Sequence, residues 1–535
     1  TNGDVYCSAV GNDANLGVGA LSPKANLHAV IEAYKLGPGD RVYVDTGAYT
    51  ATNVVTLTTQ DSGVATNPVV IVGSTNRAAG GSVFGLAGDF RRAIGLVFQT
   101  GASNIVLRDV AFTNVYRGVV ITNSTGLTLD GVEVRGGVTR AFELQGNSRN
   151  VDLVHCVAHG GGVGIYLNQA SNVSVRHCVL WQNTNNAIYV GNQVGVGVSN
   201  SVLVSTNAGA ALYSIVTQAW FSADYNGLHA GPLARLESNR VTGVAADDLA
   251  AWQRLSGGQD AHSVPGEPQL ADPAQYDYHL KTEQTLGRRL PNGQRTSDSV
   301  SSPLLDAGSP AEAVGDEPEP NGGRVNIGKY GGTWEASIAL TTPWLRTITF
   351  GDAGGVSNGV VPLLWTAGGG LSNETVKVEV SVDGGATWSA TVASNVPATN
   401  GAANWTVASL PDTPAGVWRV VCQENADVSA RSTNFFAIRN SPLNIYLATA
   451  DTNGTVYTSA PGASNNWQAT AAAPLNSLRL AFDRFDLEAG DRIWVDTGSY
   501  SESAPIWVGP KDSGTSNDPV RVIGNRNRPY DATVL

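Results

Sequence analysis

The chain has 535 residues, a length too great for one hydrophobic core, so several domains are expected. Glycine is abundant (62 residues), only 15% of residues are charged, and the net charge of −12 comes without any cluster of Lys or Arg, which argues against a grip on nucleic acid. No apolar stretch approaches the roughly 18 residues that cross a bilayer and no signal peptide begins the chain, so we expect a soluble segment, processed or excerpted, without membrane insertion.

The first predicted element is an amphipathic helix within residues 23–36, in which Leu27, Val30, Ile31 and Tyr34 share one face. Gly-Pro-Gly ends the helix, and a strand follows at once. We interpret this helix as a cap that covers the end of the elements that come after it.

Short apolar strands recur between Asn104 and about Ile215, once every 22 to 24 residues. Alternation within each strand sends every second residue inward, and parallel stacking of successive turns places equivalent residues about 4.8 Å apart. A parallel coil also satisfies its backbone groups between turns, so very short strands suffice. One inward column is therefore predicted to contain Val110, Val132, Cys156, Cys178 and Ser201.

The cap helix, its PGD turn and the TGAYT segment that follows resemble the opening of pectate-lyase-like right-handed parallel β-helix proteins. The closing segments SSPLLDAGSP and PNGGRVNIGKYGGTWEAS are similar to those of the large secreted bacterial type. The resemblance covers residues 1–338 and implies a right-handed parallel β-helix in an extracellular or cell-surface protein of bacterial origin. It implies no single activity, because the superfamily contains lyases, hydrolases, epimerases and non-catalytic adhesins.

One outward column places Arg135, His159 and Trp181 on three adjacent turns, where they could contact a sugar ring. A lyase acting on acidic polysaccharide needs a cation to neutralise the uronate and a base to remove a proton, so Arg135 and His159 are the catalytic candidates. The alternative, a solvated polar face, is favoured because no Lys lies between Lys35 and Lys281. Paired acidic residues on adjacent turns are also lacking, so Ca²⁺ is unsupported. No cofactor or metal is expected, and the balance is against an enzyme.

A second outward column contains Tyr166, Tyr189 and Tyr213. Aromatic ladders offer rigid area for sugar stacking or for packing a neighbouring subunit, so these tyrosines and Trp181 are candidate contacts for a glycan or a partner. Burial under residues 220–265 is the competing interpretation.

Cys156 and Cys178 face inward one turn apart, which suits either a disulfide or two stacked free thiols. The four cysteines have no short C-x-x-C spacing of the kind that holds zinc. His155 and His177 share a turn position with Asp109, Gly131 and Asn200, so turn capping is a better interpretation than catalysis.

Residues 341–440 show alternating strands at the spacing of an immunoglobulin-like or fibronectin type III-like β-sandwich. Within them, residues 381–388 match an Asp-box hairpin, which we interpret as a stabilised turn in which Asp383 and Thr387 satisfy backbone amides.

A repeat with a constant offset relates residues 445–535 to residues 1–84: 452−1, 490−39 and 512−61 all give 451. The sequence therefore predicts an all-β chain made of a β-helix (1–338), a sandwich (341–440) and the N-terminal part of a second β-helix (445–535). A half-built β-helix exposes a sheet edge, which predicts association with other copies of the chain. The favoured function is a tandem-repeat surface stalk, adhesin or filament that also binds polysaccharide; the alternative is a polysaccharide lyase or epimerase.

Overall fold

The computed structural model describes residues 3–51, 53–86, 93–136, 139–205, 211–216, 219–230, 234–238, 241–246, 249–350, 354–356, 360–371, 374–407, 410–438, 442–466, 468–485, 487–502, 506, 508, 512–526 and 533–534. The chain forms two compact units, Thr1–Leu340 and Thr341–Leu535. Of the helices in the described ranges, none has the length and hydropathy of a membrane span.

The first unit is a parallel β-helix whose coils run through three faces, called A, B and C. Face A contains Asp4–Cys7, Arg41–Val44, Val69–Val72, Ser103–Arg108, Thr125–Asp130, the second halves of Arg140–Val154 and Val163–Arg176, Gly195–Ser199 and Trp220–Asp224. Face B contains Gly47–Ala51, Ser82–Leu86, Val110–Thr113, Glu133–Arg135, Val157–His159, Val179–Trp181, Val202–Ser205, Gly227–Ala230 and Val264–Pro265. Face C contains Val55–Leu57, Ile94–Phe98, Arg117–Thr122, the first halves of Arg140–Val154 and Val163–Arg176, Asn186–Val190, Ala211–Val216, Ala234–Ser238 and, antiparallel to it, Val241–Ala246.

The core of this unit runs along the axis of the coils. The predicted inward column is confirmed, since Val110, Val132, Cys156, Cys178 and Ser201 are all buried. Cys156 and Cys178 lie on adjacent coils, because the residues that follow them, Val157 and Val179, pair directly. Both are free thiols, so the structure contains the stacked-thiol alternative and not a disulfide.

A ladder of left-handed residues turns the chain between faces A and B. The φ angles are +54° at Asp109, +66° at Gly131, +54° at His155, +53° at His177 and +49° at Asn200. Asn, Asp, His and Gly tolerate this region better than other residues do, which explains why the position varies among these four types. The interpretation of His155 and His177 as turn residues is confirmed.

Two helices cover the ends of the coils. The first, Leu27–Ala33, is shorter than the predicted segment; Asn26 caps its start by accepting a hydrogen bond from Ala29 N (2.9 Å), and Tyr34 is already extended. The second, Leu249–Ser256, buries Trp252 against Tyr213 and Phe221. Short 3₁₀ turns occur at Thr59–Asp61, Arg77–Ala79 and Pro273–Gln275.

Tyr213 does not lie in the outward tyrosine column. Tyr213 pairs with Ile188, and it is Ser214 that pairs with Tyr189. The prediction used a spacing of 24 residues where the coil has 25 (213−188), and a slip of one residue exchanges the two faces of a strand. The observed register buries Tyr213 and Ile215 and turns Ser214 away from the axis, which removes more apolar surface from water.

A closing segment, residues 266–338, follows the last coil. It contains the strands Leu270–Asp272, Asp277–Leu280, Arg288–Arg289 and Arg295–Thr296, which form two small antiparallel hairpins. The rest is irregular backbone that packs back on face B and on the turn ladder, where His177 Nε2 is hydrogen-bonded to Glu312 Oε1 (2.9 Å).

In the second unit, two sheets enclose one core that contains Trp365, Trp405, Trp418 and Phe436. The first sheet has Trp344–Thr347, Val360–Gly368 and Ala402–Thr406; the second has Gly354–Val356, Phe436–Ile438, Thr413–Cys422, Thr375–Ser381, Ala390–Pro397 and Ser429–Arg431. A 3₁₀ turn, Ala398–Asn400, lies between two of these strands.

The Asp-box hairpin of this unit has the contacts that the sequence predicted. Asp383 accepts hydrogen bonds from Thr387 N (2.8 Å) and Thr387 Oγ1 (2.5 Å).

One helix and one strand near the end of the chain recur at the predicted offset. Helix Leu478–Arg484 and strand Arg492–Val495 follow Leu27–Ala33 and Arg41–Val44 at the offset of 451 (478−27, 492−41). The strand that pairs with Arg492–Val495 is Asn444–Leu447, however, and not residues 455–458, which the repeat relates to Asp4–Cys7. Arg521–Gly524 continues this sheet, and Gly498–Ser499 pairs with Thr533–Val534.

Candidate functional site

The outward column of face B lies as the sequence predicted, with Arg135, His159 and Trp181 in register on adjacent coils. It is not a plain solvated face, because the closing segment covers part of it. His159 Nδ1 is hydrogen-bonded to the Tyr278 hydroxyl (2.8 Å), and the Arg135 guanidinium lies 4.4 Å from the centre of the Tyr276 ring. Trp181 is half-buried.

A buried charge cluster joins face B to the closing segment. Glu133 accepts hydrogen bonds from Lys329 Nζ and, at 2.7 Å, from Arg135 Nε. The side chain of Lys329 is only 1% exposed and that of Glu133 only 7%. A paired charge at such depth is retained only when its partners satisfy it, so this cluster fixes the closing segment on the coils.

The surroundings lower the pKa values of both Glu133 and Lys329, for different reasons. Burial opposes the charge of Glu133, but Lys329, Arg135 and Arg77 outweigh it and lower the pKa of Glu133 to about 2. Burial together with the like charge of Arg77 lowers the pKa of Lys329 to about 8, although Glu133 attracts its charge. The carboxylate of Glu133 thus faces three cations, Lys329, Arg135 and Arg77, so these four residues together carry excess positive charge.

Arg77 extends the cluster toward solvent. It donates to the Tyr330 hydroxyl and forms an ion pair with Glu335 (3.5 Å). On the other side of Glu335, Arg289 lies 3.9 Å from that carboxylate and stacks over the Trp334 ring at 4.0 Å.

These residues enclose a groove of about 550 Å³. We call it the arginine groove and define it by Arg77, Arg135, Tyr276, Arg289, Trp334 and Glu335. Trp334 is 53% exposed and Tyr276 37% exposed, so two aromatic rings, each with an arginine stacked on it, are open to a ligand. Planar guanidinium groups bind carboxylates and aromatic rings pack against apolar ring faces, so the groove can hold a molecule with both features.

His159 lies beside this groove in a different electrostatic state from the arginines. Burial and the adjacent Arg135 lower the pKa of His159. The imidazole is therefore neutral at physiological pH and able to accept a proton.

The tyrosine ladder on face C has a geometry that the sequence could not give. Tyr166 and Tyr189 stack at 4.9 Å with an interplanar angle of 4°, and Arg140 from the preceding coil lies 3.7 Å from the centre of the Tyr166 ring. Arg140 and Tyr189 thus occupy the two faces of Tyr166, which leaves its edge for a ligand or partner.

Among the described residues, Glu374, Cys422 and Glu424 are the only group of three metal-type ligands close enough to share one ion. Glu424 already accepts hydrogen bonds from Thr375 N and Thr375 Oγ1 (3.1 and 2.8 Å), and it is exposed, so this group is better explained as a strand-end contact.

Sequence reasoning missed the residues that the closing segment adds, above all Lys329, Tyr330 and Trp334, and it also missed Arg77. No periodic pattern in the sequence predicts the positions of these residues. The available signal was the density of aromatic and basic residues in a segment without coil periodicity, which must pack on an existing face.

Comparison with a family model supports the fold of the coils. The family model for the right handed beta helix region matches residues 92–214. A rhamnogalacturonan lyase is similar with a TM-score of 0.35 and 15% identity, over 56% of this chain and 95% of its own. For a pectate lyase, Pel9A, the TM-score is 0.37 and the identity 16%, over 62% and 96%.

An alginate lyase from Paenibacillus sp. str. FPU-7 has a TM-score of 0.31 and 15% identity, over 42% of this chain and 76% of its own. No curated protein matches the chain. The family match spans the coils from Ile94–Phe98 to Ala211–Val216, and the first unit is therefore a right-handed parallel β-helix.

Proposed function

We propose that this chain is an extracellular, bacterial β-helix protein that binds acidic polysaccharide in the arginine groove. The observation that carries the proposal is the pairing of cations with exposed aromatic rings in one groove, Arg135 over Tyr276 and Arg289 over Trp334. Three arginines line this groove together with the carboxylates of Glu133, Asp277 and Glu335, although the chain as a whole has a net charge of −12. Uronate sugars combine a carboxylate with an apolar ring face and match this combination.

Binding is tested by calorimetry with polygalacturonate, alginate and an uncharged galactan. We expect the acidic polymers to bind and the affinity to fall as salt rises, because the contacts are charge-assisted. Trp334→Ala is expected to weaken binding about tenfold, as loss of an exposed aromatic anchor does. Trp220→Ala is the matched control, since Trp220 is 64% exposed and lies on face A. Equal affinity of the two variants, or equal binding of the uncharged polymer, contradicts the proposal.

A second candidate is a polysaccharide lyase or epimerase, favoured by the position of His159 beside Arg135. In β-elimination, Arg135 would neutralise the uronate carboxylate while His159 Nε2 takes the proton from the adjacent carbon, with Nδ1 held by Tyr278. The electron pair of that C–H bond then forms the carbon–carbon double bond as the bond to the glycosidic oxygen breaks, and the leaving oxygen takes a proton from water. Ultraviolet absorbance of the unsaturated uronate measures a lyase reaction directly, and loss of that signal in His159→Asn would support the assignment. A wild-type protein that binds an acidic polymer without producing this absorbance, and without exchanging the proton with deuterated solvent, is a binding protein only.

We also propose that the chain assembles with other copies of itself into a stalk or filament. The repeated opening, in which Leu478–Arg484 and Arg492–Val495 follow their counterparts at a constant offset, supports this proposal. Light scattering over a concentration series tests it, and a mass that stays at 55.6 kDa throughout would count against it.

A further inference from the structure

An acidic stretch lies in the closing segment, and none of its residues lines the arginine groove. Residues 306–321 contain five carboxylates and no Lys or Arg. Two of the five, Asp306 and Glu317, are buried, with exposures of 2% and 6%. Buried carboxylates need a compensating partner, so their surroundings decide what the pair does.

The carboxylate of Asp306 has no partner in the part of the chain that the structure describes. Both of its oxygens are inaccessible to solvent and accept no hydrogen bond. The backbone is fixed at the same time: Asp306 N donates to Asn326 Oδ1 (2.7 Å), and φ is held at +50°. The side chain is thus held in place with both oxygens available.

Glu317 is tied to the same asparagine. Its Oε1 accepts from Asn326 N and from Gly332 N, both at 2.8 Å. Asn326 therefore holds Asp306 through its side chain and Glu317 through its backbone. Burial and the like charge of Glu317 raise the pKa of Asp306 to about 8, and burial raises the pKa of Glu317 to about 7.

Arg324 is the cation that lowers the pKa of Asp306, but its guanidinium donates its hydrogen bonds to backbone carbonyl oxygens. It donates to the carbonyl oxygens of Gly308 (3.1 Å from Nε) and Ala307 (3.2 Å from Nη2). Arg324 lowers the pKa of Asp306 without offsetting the influences that raise it. Arg324 therefore acts on Asp306 through its charge and forms no hydrogen bond with the Asp306 carboxylate.

The loop of residues 317–323 lies directly against the carboxylate of Asp306. A Cβ atom built on Gly322 would lie 2.0 Å from Asp306 Oδ2, so only glycine fits there. This close approach places the backbone of the loop at Gly322 against the Asp306 side chain. Carboxylates and backbone carbonyls are the ligands that Ca²⁺ prefers.

We propose that Asp306 and Glu317, with the backbone of the loop 317–323, form a binding site for one Ca²⁺ ion. The ion neutralises the two buried carboxylates and ties the loop to the segment that begins at Asp306. The site is separate from the polysaccharide proposal, which places its ligand in the arginine groove.

The test is calorimetry of the full chain, stripped with EDTA and titrated with CaCl₂ alone. We expect one Ca²⁺ per chain and a rise in Tm with Ca²⁺, since an ion that binds only the folded state stabilises it. Asp306→Asn is expected to weaken binding at least about tenfold, because it removes a charged ligand. Glu267→Gln, which changes an exposed acid of the same unit, is expected to bind like the wild type.

The competing account is that Asp306 is protonated and binds no ion. Its pKa is raised above its ordinary 3.8, so the metal-free protein loses stability as the pH rises from about 3.8 to about 8. Under the proposal, Ca²⁺ reverses this loss near pH 8. No heat and no Tm change with Ca²⁺ at that pH overturns the proposal, and so does unchanged binding by an Asp306→Asn variant whose circular dichroism is native.

Discussion

At the residue scale, the ammonium group of Lys329 is buried against Glu133 although the two residues are 196 positions apart in the chain. Replacing one partner of a buried pair leaves the other without compensation, which is costlier than replacing both. The pair is therefore a sensitive point for the attachment of the closing segment.

We expect Lys329→Met to lower the free energy of unfolding by about 3 kcal/mol, measured by urea denaturation. In a Glu133→Leu background the same Lys329→Met substitution should cost less, because the carboxylate that Lys329 contacts is then absent. Lys35→Met, at an exposed position, serves as the control. A Lys329→Met substitution that costs as much in the Glu133→Leu background as in the wild type would show that the pair is not the source of the effect.

The same carboxylate predicts a pH dependence. Its pKa is lowered from an ordinary 4.5 to about 2, so its stabilising contribution is complete above about 4.5 and is lost as the pH falls toward 2. The difference in unfolding free energy between the wild type and Glu133→Gln should therefore shrink over that interval. A constant difference across the interval would contradict the assignment.

The sequence predicted Arg135, His159 and Trp181 in one column because strand periodicity alone fixes which residues face outward. It did not predict Lys329, Tyr278 or Trp334 beside them. A segment without a repeat has no register to extrapolate, and its position depends on complementarity with a face that exists only after folding.

At the element scale, the strand Ala211–Val216 shows how an error of one residue in the predicted coil length assigns a strand to the wrong faces. Inward columns were predicted correctly where successive coils keep their spacing, as at Cys156 and Cys178. Tyr213 was assigned to the wrong face because the predicted spacing of 24 residues differs by one from the observed spacing of 25.

This register predicts a large loss of stability at one tyrosine and a small loss at another. Tyr213→Ala should cost about 3 to 5 kcal/mol of unfolding free energy, since it opens a cavity beside Trp252. Tyr189→Ala, on the half-buried outer side, should cost much less. Denaturant unfolding of the two variants measures the difference, and similar losses would place both side chains in the same environment.

At the scale of the whole molecule, the chain has separate cores. One contains Trp252 within the coils, and another contains Trp418 between the sheets of the second unit. The immunoglobulin-like assignment of that second core stays a prediction, while its two sheets are directly visible.

Separate cores predict separate unfolding. We expect calorimetry to resolve more than one transition, with Trp418→Ala lowering only the transition of the second unit and Trp252→Ala only that of the first. A single transition that both variants shift equally would indicate one cooperative body.

The contact between Arg77 and Tyr330 spans 253 residues. A ribosome has to complete nearly the whole first unit before that contact can form, whereas each coil can pair with its predecessor as soon as it emerges. The arginine groove is consequently the last part of the unit to form. A chain that binds a ligand there has therefore completed both its synthesis and the formation of its coils.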